Sequence, residues 1–293
     1  MKTTLKRIQT KDNIELVGLL FEPETPTKKI LVHVHGMGGN FYENRFLDAI
    51  AKKLTDNGVA FLTFNNRGCE IFKDLLKITN GRIDFVRIGN AYEKFEDSQI
   101  DIEAIIDEVS KSGFSEIHLS GHSLGSPKIA YYLTQTNDSR VNSVLFLSPS
   151  DMLGLVRAEK EIFKKNIEEA TKMVTNGKGN DLLTREIWDE YPISANTYLS
   201  LFGDDSKAGI FNFFDPNNRL EALSKIKQPV FATMGRKDDA LVVSIEETFD
   251  RITKAVVNSS KVETKILGDA NHGYTGFEDA LAEEILGWIN RYK

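Results

Sequence analysis

The sequence has little of what secreted and membrane proteins depend on. Cys69 is its single cysteine, so no disulfide can form within the chain. No apolar run approaches the roughly 20 residues that a helix needs to cross a bilayer. Residues 1–8 are basic but lack the apolar core of a secretory signal peptide. These absences predict a cytoplasmic protein with no stable membrane insertion.

An excess of basic residues is also missing. The chain has 37 Lys and Arg against 43 Asp and Glu, a net charge of −6, which predicts that it has no nucleic-acid partner. Apolar residues make up 41% and charged residues 27%, as in globular proteins. A length of 293 residues is enough for one large domain with an insertion or for two ordinary domains. Neither length nor composition distinguishes a monomer from a homodimer.

Strand and helix patterns alternate as far as residue 147. Two β-type runs, at 2–10 and 14–21, open the chain. After them, apolar periodicity predicts strands at 29–35, 59–64, 116–120 and 141–147, with helices near 46–54, 98–110 and 127–133. This alternation predicts parallel strands, right-handed crossovers and helices on both faces of a sheet. Residues 69–94 fit no regular pattern, and an irregular stretch of this length is usually functional or mobile.

The alternation stops between residues 151 and 217. Helical patterns at 152–174 and 183–201, the second broken by Pro192, precede a cluster of phenylalanines. Alternation then resumes with predicted strands at 229–234 and 261–267 and helices at 220–226, 244–257 and 276–292. We therefore predict an α/β core formed by residues 1–150 and 218–293, with a helical insertion at 151–217.

A Gly-x-Ser-x-Gly turn lies between the strand that starts at residue 116 and the helix that follows. Such a turn exposes the central hydroxyl, Ser123, at the end of a sheet and points a helix N-terminus at the reacting oxygen. Gly121 and Gly125 remove side chains that would collide in so sharp a turn. Because the motif has a strand before it and a helix after it, Ser123 is the predicted nucleophile.

A serine nucleophile needs a base, and histidine is the usual one because its pKa lies near neutrality. The sequence has only five histidines. His33, His35 and His118 lie in or just past strands, and the side chain of His122 points away from the serine hydroxyl in such a turn. The His-x-His spacing of His33 and His35 lacks a further ligand cluster, so no metal site is predicted there. His272 is the predicted base, because it lies in a loop between the last strand and the last helix, at the edge of the sheet where Ser123 lies.

The third residue of a catalytic triad is a carboxylate that orients the imidazole. The strand at 229–234 leads to Asp238 and Asp239 at the same edge of the sheet. Asp238 is our choice, but Asp239 remains open because one residue of register is not resolved by the sequence. Asp151, just after the strand at 141–147, is the third candidate.

An oxyanion hole needs two backbone donors. One is the amide of Leu124, next to the nucleophile. The other is expected from the glycine-rich loop at 36–39, where Met37 N–H is the predicted donor. The loop is not a phosphate-binding P-loop, since no Lys-Ser/Thr pair follows its glycines.

Over almost its whole length the chain resembles the α/β-hydrolase superfamily of serine hydrolases, the group of esterases and lipases. The motifs that carry the resemblance are His35-Gly36-Met37-Gly38-Gly39, Gly121-His122-Ser123-Leu124-Gly125, Gly235-x-x-Asp238 and Asn271-His272-Gly273, in the family order of nucleophile, acid and base. The resemblance implies an eight-stranded, mostly parallel sheet with a helical cap inserted after strand six, at 151–217. It also implies that no metal or organic cofactor takes part.

The expected reaction is hydrolysis of a carboxylic ester with a small or medium acyl or aromatic group, through an acyl-enzyme intermediate. Thioester hydrolysis, amide cleavage and acyl transfer use the same residues and stay open. A ligand-binding relative without turnover is an alternative from a different class.

Overall fold

Ten strands form a central sheet and a separate hairpin in the computed structural model, which describes residues 1–292. The strands are β1 (Lys2–Gln9), β2 (Glu15–Glu22), β3 (Lys29–Val34), β4 (Ala60–Asn65), β5 (Lys73–Thr79), β6 (Arg82–Ile88), β7 (Glu116–His122), β8 (Val141–Leu147), β9 (Val230–Met234) and β10 (Val262–Ile266). The helices are α1 (Phe46–Asp56), α2 (Ser98–Lys111), α3 (Gly125–Thr136), α4 (Met152–Arg157), α5 (Lys160–Thr175), α6 (Ala195–Phe202), α7 (Ile245–Ala255) and α8 (Glu278–Arg291).

The central sheet has eight strands in the order β1-β2-β4-β3-β7-β8-β9-β10. β1 and β2 pair antiparallel, and so do β2 and β4, while all the other pairs are parallel. The predicted eight-stranded, mostly parallel sheet is therefore confirmed. After β3 the chain adds β4 on one side and then returns to place β7 on the other side of β3. The carboxyl ends of β3 and β7 thus meet at a point where the strand order reverses, which is where α/β sheets bind ligands.

Apolar side chains on both sides of the sheet explain its two helix layers. Ile30 and Val32 of β3 belong to one buried cluster, which includes residues of α2, α3 and α7, and Leu31 belongs to a second cluster, with α1 and α8. Successive side chains of a strand point to opposite faces, so a continuous apolar run needs helices on both sides. The prediction of helices on both faces is confirmed.

The prediction that residues 69–94 are irregular is wrong. β5 and β6 form an antiparallel hairpin there, closed at Asn80 and Gly81, which have φ values of 50° and 81°. Asn-Gly with both residues at positive φ is the pattern of a tight hairpin turn. Leu75 and Ile88 of the hairpin are buried in the main core.

The segment from 151 to 217 contains α4, α5, α6 and a 3₁₀ turn at Lys207–Ile210. The single helix predicted at 152–174 is wrong, because α4 ends at Arg157 and α5 starts at Lys160. The helix predicted at 183–201 is confirmed only for its last part, since α6 begins after Ser194, whose hydroxyl caps it by accepting from Thr197 N–H at 3.2 Å. Most residues of a small apolar cluster come from this segment, and Phe95 and Leu124 of the α/β part complete the cluster.

Among the helices of residues 1–292, none combines the length and apolar character required to traverse a membrane.

Candidate active site

The turn between β7 and α3 holds Ser123 in a strained backbone conformation. Its φ of 54° lies in the left-handed region, which costs free energy for a residue other than glycine and is frequent at functional sites. A Cβ on Gly121 would lie 2.3 Å from the carbonyl oxygen of Gly125, and one on Gly125 would lie 2.1 Å from that of Val34. Both positions must therefore be glycine for the turn to form against β3. The sequence motif thus has a direct steric cause.

His272 and Asp238 come together from two adjacent loops. Asp238 Oδ1 lies 2.9 Å from His272 Nδ1; the Asp238 side chain is fully buried and that of His272 is 24% exposed. The loops after β9 and β10 are joined by backbone hydrogen bonds, including one from Lys237 N–H to Ala270 O at 3.0 Å. The Asp238–His272 pair is thus held by the hydrogen-bonded loops of two neighbouring parallel strands.

The Asp238 carboxylate is held in its ionised form. Burial raises the pKa of Asp238, but the hydrogen bond to His272, the charge of that imidazole and a hydrogen bond from the Ala240 amide outweigh burial, so the pKa lies below its ordinary value of 3.8. Stability gained from this ionised carboxylate is therefore fully present above pH 3.8 and is lost as the pH falls through the lowered pKa.

The two other candidate carboxylates are placed differently. Asp239 is exposed and lines the cavity beside His272. Asp151 is buried, and its carboxylate accepts hydrogen bonds from the backbone N–H groups of Gly154 at 2.7 Å and Phe214 at 2.6 Å. Burial raises the pKa of Asp151, and these bonds oppose the shift. Asp151 therefore caps α4 and ties it to the end of the 151–217 segment.

Ser123 and His272 line one cavity of about 640 Å³, together with residues of the glycine-rich loop. The Ser123 hydroxyl lies 3.0 Å from the hydroxyl of Ser150, and no hydrogen bond joins it to His272 in the described part of the chain. Catalytic hydrogen bonds are often long until a substrate is bound, so this geometry is compatible with a base role for His272. Ser150 itself is buried and was not found by sequence analysis.

His122 supports the loop that carries His272. Its Nε2–H donates to the backbone oxygen of His272 at 2.8 Å, and the two rings lie 4.9 Å apart. Burial, reinforced by the nearby charge of His272, lowers the pKa of His122 to about 3, so this imidazole is neutral at physiological pH. His122 therefore positions the loop and adds no charge beside His272.

The remaining histidines are engaged inside the sheet. His33 Nδ1 lies 2.9 Å from Ser120 Oγ, and His118 Nδ1 lies 2.7 Å from Ser143 Oγ. His35 uses both ring nitrogens, because Nδ1–H donates to Gly36 O at 2.9 Å and Nε2 accepts from Asn66 N–H at 3.1 Å. His35 thus holds the start of the glycine-rich loop.

Within residues 1–292, the one group of three side chains with metal-ligating atoms close together is Asp238, Asp239 and His272. The hydrogen bond between Asp238 and His272 already uses Nδ1 of the ring. This group therefore overlaps the Asp238–His272 pair.

The glycine-rich loop lies directly beside Ser123. A Cβ on Gly36 would be 2.8 Å from the Cβ of Ser123, and Met37 lines the cavity. In the described chain, the amides of Met37 and Leu124 donate no hydrogen bond to a protein acceptor. Two N–H groups next to the nucleophile are thus free to bind an oxygen atom.

A buried ion pair lies behind this loop. Lys128 Nζ is 2.7 Å from Glu93 Oε2 and 3.3 Å from Asn66 Oδ1, and both charged side chains are fully buried. Asn66 also bonds His35, so a chain of polar contacts runs from α3 to the glycine-rich loop. Neither Glu93 nor Lys128 was identified from sequence, since a charged residue in an amphipathic pattern ordinarily indicates an exposed face.

The strand order and the sharp β7–α3 turn define a class: the chain has the α/β-hydrolase fold. Among the solved structures similar to this chain, three examples match it over nearly its full length. Est1E from Butyrivibrio proteoclasticus, with ferulic acid bound, is 19% identical and covers 98% of each chain at a TM-score of 0.68. The siderophore hydrolase EstB from Aspergillus fumigatus is 16% identical over 99% of this chain and 98% of its own, at 0.70. An esterase from Pyrococcus furiosus is 18% identical over 99% of this chain and 91% of its own, at 0.63.

A protein-family model matches residues 88–290, which is more than half of the chain. The family is described as a protein of unknown function (DUF1749), and the chain belongs to it. No curated protein matches the chain.

Proposed function

We propose that the protein is a serine hydrolase that cleaves a carboxylic ester with a small or medium acyl or aromatic group. One observation carries this proposal. Ser123, on its strained turn, lines the same cavity as His272, and Nδ1 of His272 is hydrogen-bonded to the buried Asp238. The names of the structural neighbours, a siderophore hydrolase and esterases, support hydrolysis of an ester bond.

The proposed reaction has two halves. Ser123 Oγ attacks the ester carbonyl carbon while His272 Nε2 takes the hydroxyl proton, and Asp238 stabilises the resulting imidazolium. The carbonyl oxygen becomes an oxyanion that accepts hydrogen bonds from the amides of Met37 and Leu124. Collapse of this intermediate breaks the bond to the alcohol, which receives the proton from His272. Water, deprotonated by the same imidazole, then releases the acid from Ser123.

Cys69 is the one other candidate for a strong nucleophile, and its environment disfavours that role. The thiol is buried, and burial raises its pKa to about 12, so the reactive thiolate is scarce at neutral pH. The proposed chemistry runs on protein side chains and amides, without a metal or an organic cofactor. We also propose a cytoplasmic location, on the grounds given by the sequence.

We propose that residues 151–217 act as a cap over the α/β core formed by 1–150 and 218–293. Support comes from Met152, Trp188 and Tyr191, which belong to this segment and line the cavity around Ser123. Other aromatic residues, such as Tyr198 and Phe202, are buried in the segment's own cluster and have a packing role there. A cap of this kind restricts the size of the acyl group and limits the access of bulk solvent to the reacting atoms.

Substrate class is tested by a panel of chromogenic esters of graded acyl length, run beside amide and thioester analogues. We expect the highest kcat/KM for an ester; its advantage over the amide analogue should be large, since an alcohol leaves more readily than an amine. A higher kcat/KM for the thioesters or amides would replace the ester assignment while keeping the same triad. Turnover of no compound, together with tight binding of one of them, would favour a ligand-binding role instead.

A further inference from the structure

Carboxylates dominate the charge of the cavity around Ser123. Glu43, Glu159, Glu190 and Asp239 line it, each with an exposed side chain, and no lysine or arginine does. Because Ser123 and His272 define the site of reaction, the carboxylates affect which esters enter the cavity.

These four charges are not neutralised by ion pairs within residues 1–292. Of the basic side chains close to them in sequence, Arg157 is paired with Asp204, Arg185 with Asp189 and Lys237 with Asp269. Arg45 and Lys160 form no ion pair in the described part of the chain, and neither lines the cavity. A cleft lined by charge of one sign concentrates ligands of the opposite sign and repels ligands of the same sign.

Two aromatic rings occupy the same wall as Glu190. Trp188 and Tyr191 both line the cavity, with centroids 6.1 Å apart and ring planes at 87°. They project from a tight turn closed by two backbone hydrogen bonds between Ile187 and Tyr191, at 2.9 Å and 3.0 Å. Burial raises the pKa of Tyr191, and the charges of Glu190 and Glu43 raise it further. Aromatic faces combined with carboxylates favour ammonium groups.

We propose, on the basis of the ester hydrolysis proposed above, that this cavity selects esters carrying a positively charged ammonium group and disfavours anionic ones. The ammonium group lies against Trp188 and Tyr191 among the carboxylates, while the ester carbonyl reaches Ser123. Thioesters on a phosphorylated carrier are disfavoured by the same charges.

A matched pair of substrates tests the inference. Choline hexanoate and 3,3-dimethylbutyl hexanoate have the same shape and differ in a quaternary nitrogen against a carbon. We expect kcat/KM for the choline ester to be about tenfold higher at low ionic strength, and the ratio to shrink in about 0.5 M NaCl, where charges are screened. The anionic hexanoyl ester of 3-hydroxypropanoate should be about tenfold slower than the neutral ester. Equal rates for the choline and neutral esters, or a preference for the anionic ester, overturn the inference.

Glu→Gln variants test whether the preference for the choline ester comes from the carboxylates of the cavity. In the triple variant Glu43→Gln, Glu159→Gln and Glu190→Gln, the ratio of choline to neutral ester should fall towards one. The matched control, Glu24→Gln, Glu168→Gln and Glu221→Gln, changes net charge equally at exposed sites outside the cavity and should keep the ratio. A ratio that is unchanged in the cavity triple, or lost equally in the control, contradicts the assignment.

Binding separates this inference from the proposed function. Titration calorimetry of Ser123→Ala with the two esters needs no turnover, and the choline ester should bind about tenfold more tightly. Equal affinities overturn charge selection even if the wild type hydrolyses both esters. If the wild type hydrolyses neither ester, the proposed hydrolysis fails, and the ratio of affinities still decides whether the cavity selects cations.

Discussion

Ser123→Ala is expected to lower kcat for ester hydrolysis by a factor of about 10⁶, the loss seen when a triad enzyme loses its nucleophile. The change removes one oxygen atom from a residue whose position is set by Gly121, Gly125 and the hydrogen bond from its own N–H to Leu147 O at 3.0 Å. The fold should therefore persist, with an unchanged circular dichroism spectrum. The measurement is kcat for the best ester of the panel, compared with the wild type.

Ser150→Ala is the matched control for this variant. It removes a hydroxyl that lies 3.0 Å from that of Ser123 in the same cavity, but His272 is the proposed base. We expect kcat to change less than about tenfold, since one neutral hydrogen bond contributes roughly 0.5–1.5 kcal/mol. Near wild-type turnover in Ser123→Ala, or a collapse of kcat in Ser150→Ala alone, would move the nucleophile away from Ser123.

Asp238→Asn is expected to lower kcat by about 10⁴, as an amide in this position does in the template serine proteases. The carboxylate accepts a hydrogen bond from His272 Nδ1 at 2.9 Å, whereas an amide group can present its NH₂ to that nitrogen and hold the imidazole in the wrong tautomer. Shape and volume are nearly preserved. The measurement is kcat at the pH optimum of the wild type.

Asp239→Asn and Asp151→Asn are the controls for the acid. Asp239 is exposed, and the Asp151 carboxylate accepts hydrogen bonds from the backbone N–H groups of Gly154 and Phe214. Neither change should therefore lower kcat by more than about tenfold. Asp151→Asn should instead lower the thermal midpoint, because it weakens a buried helix cap. A collapse of kcat in either control, with Asp238→Asn nearly intact, would assign the acid to that residue.

The parts of the site that sequence predicted are those with a local steric or topological cause. Gly121 and Gly125 bracket Ser123 because any side chain there would collide with a backbone carbonyl, and such a cause is visible as a five-residue motif. The sheet was predictable because β3, β4 and β9 are mostly apolar and rich in strand-forming residues, with helical patterns between most of the strands. Strand ends then placed His272 and the candidate acids at the edge that holds Ser123.

The parts that were missed depend on contacts between distant residues. Ser150 meets Ser123 across 27 positions, and Lys128 meets Glu93 across 35, so neither pair leaves a local pattern. The register between Asp238 and Asp239 depends on how the loops after β9 and β10 pair, which only the fold determines. The β5–β6 hairpin is a different case: Asn80-Gly81 was a readable turn signal, obscured by charged residues that interrupt the apolar pattern of both strands.

Whether Ser123 is an activated nucleophile can be measured by labelling the wild-type protein with a fluorophosphonate and mapping the adduct by mass spectrometry. We expect one adduct per chain, on the peptide that contains Ser123, with loss of esterase activity in proportion to labelling. No adduct should form on Ser123→Ala, whereas Ser150→Ala should still be labelled. An adduct on Ser150 or another residue, or an active enzyme that the probe neither labels nor inhibits, would contradict this role of Ser123.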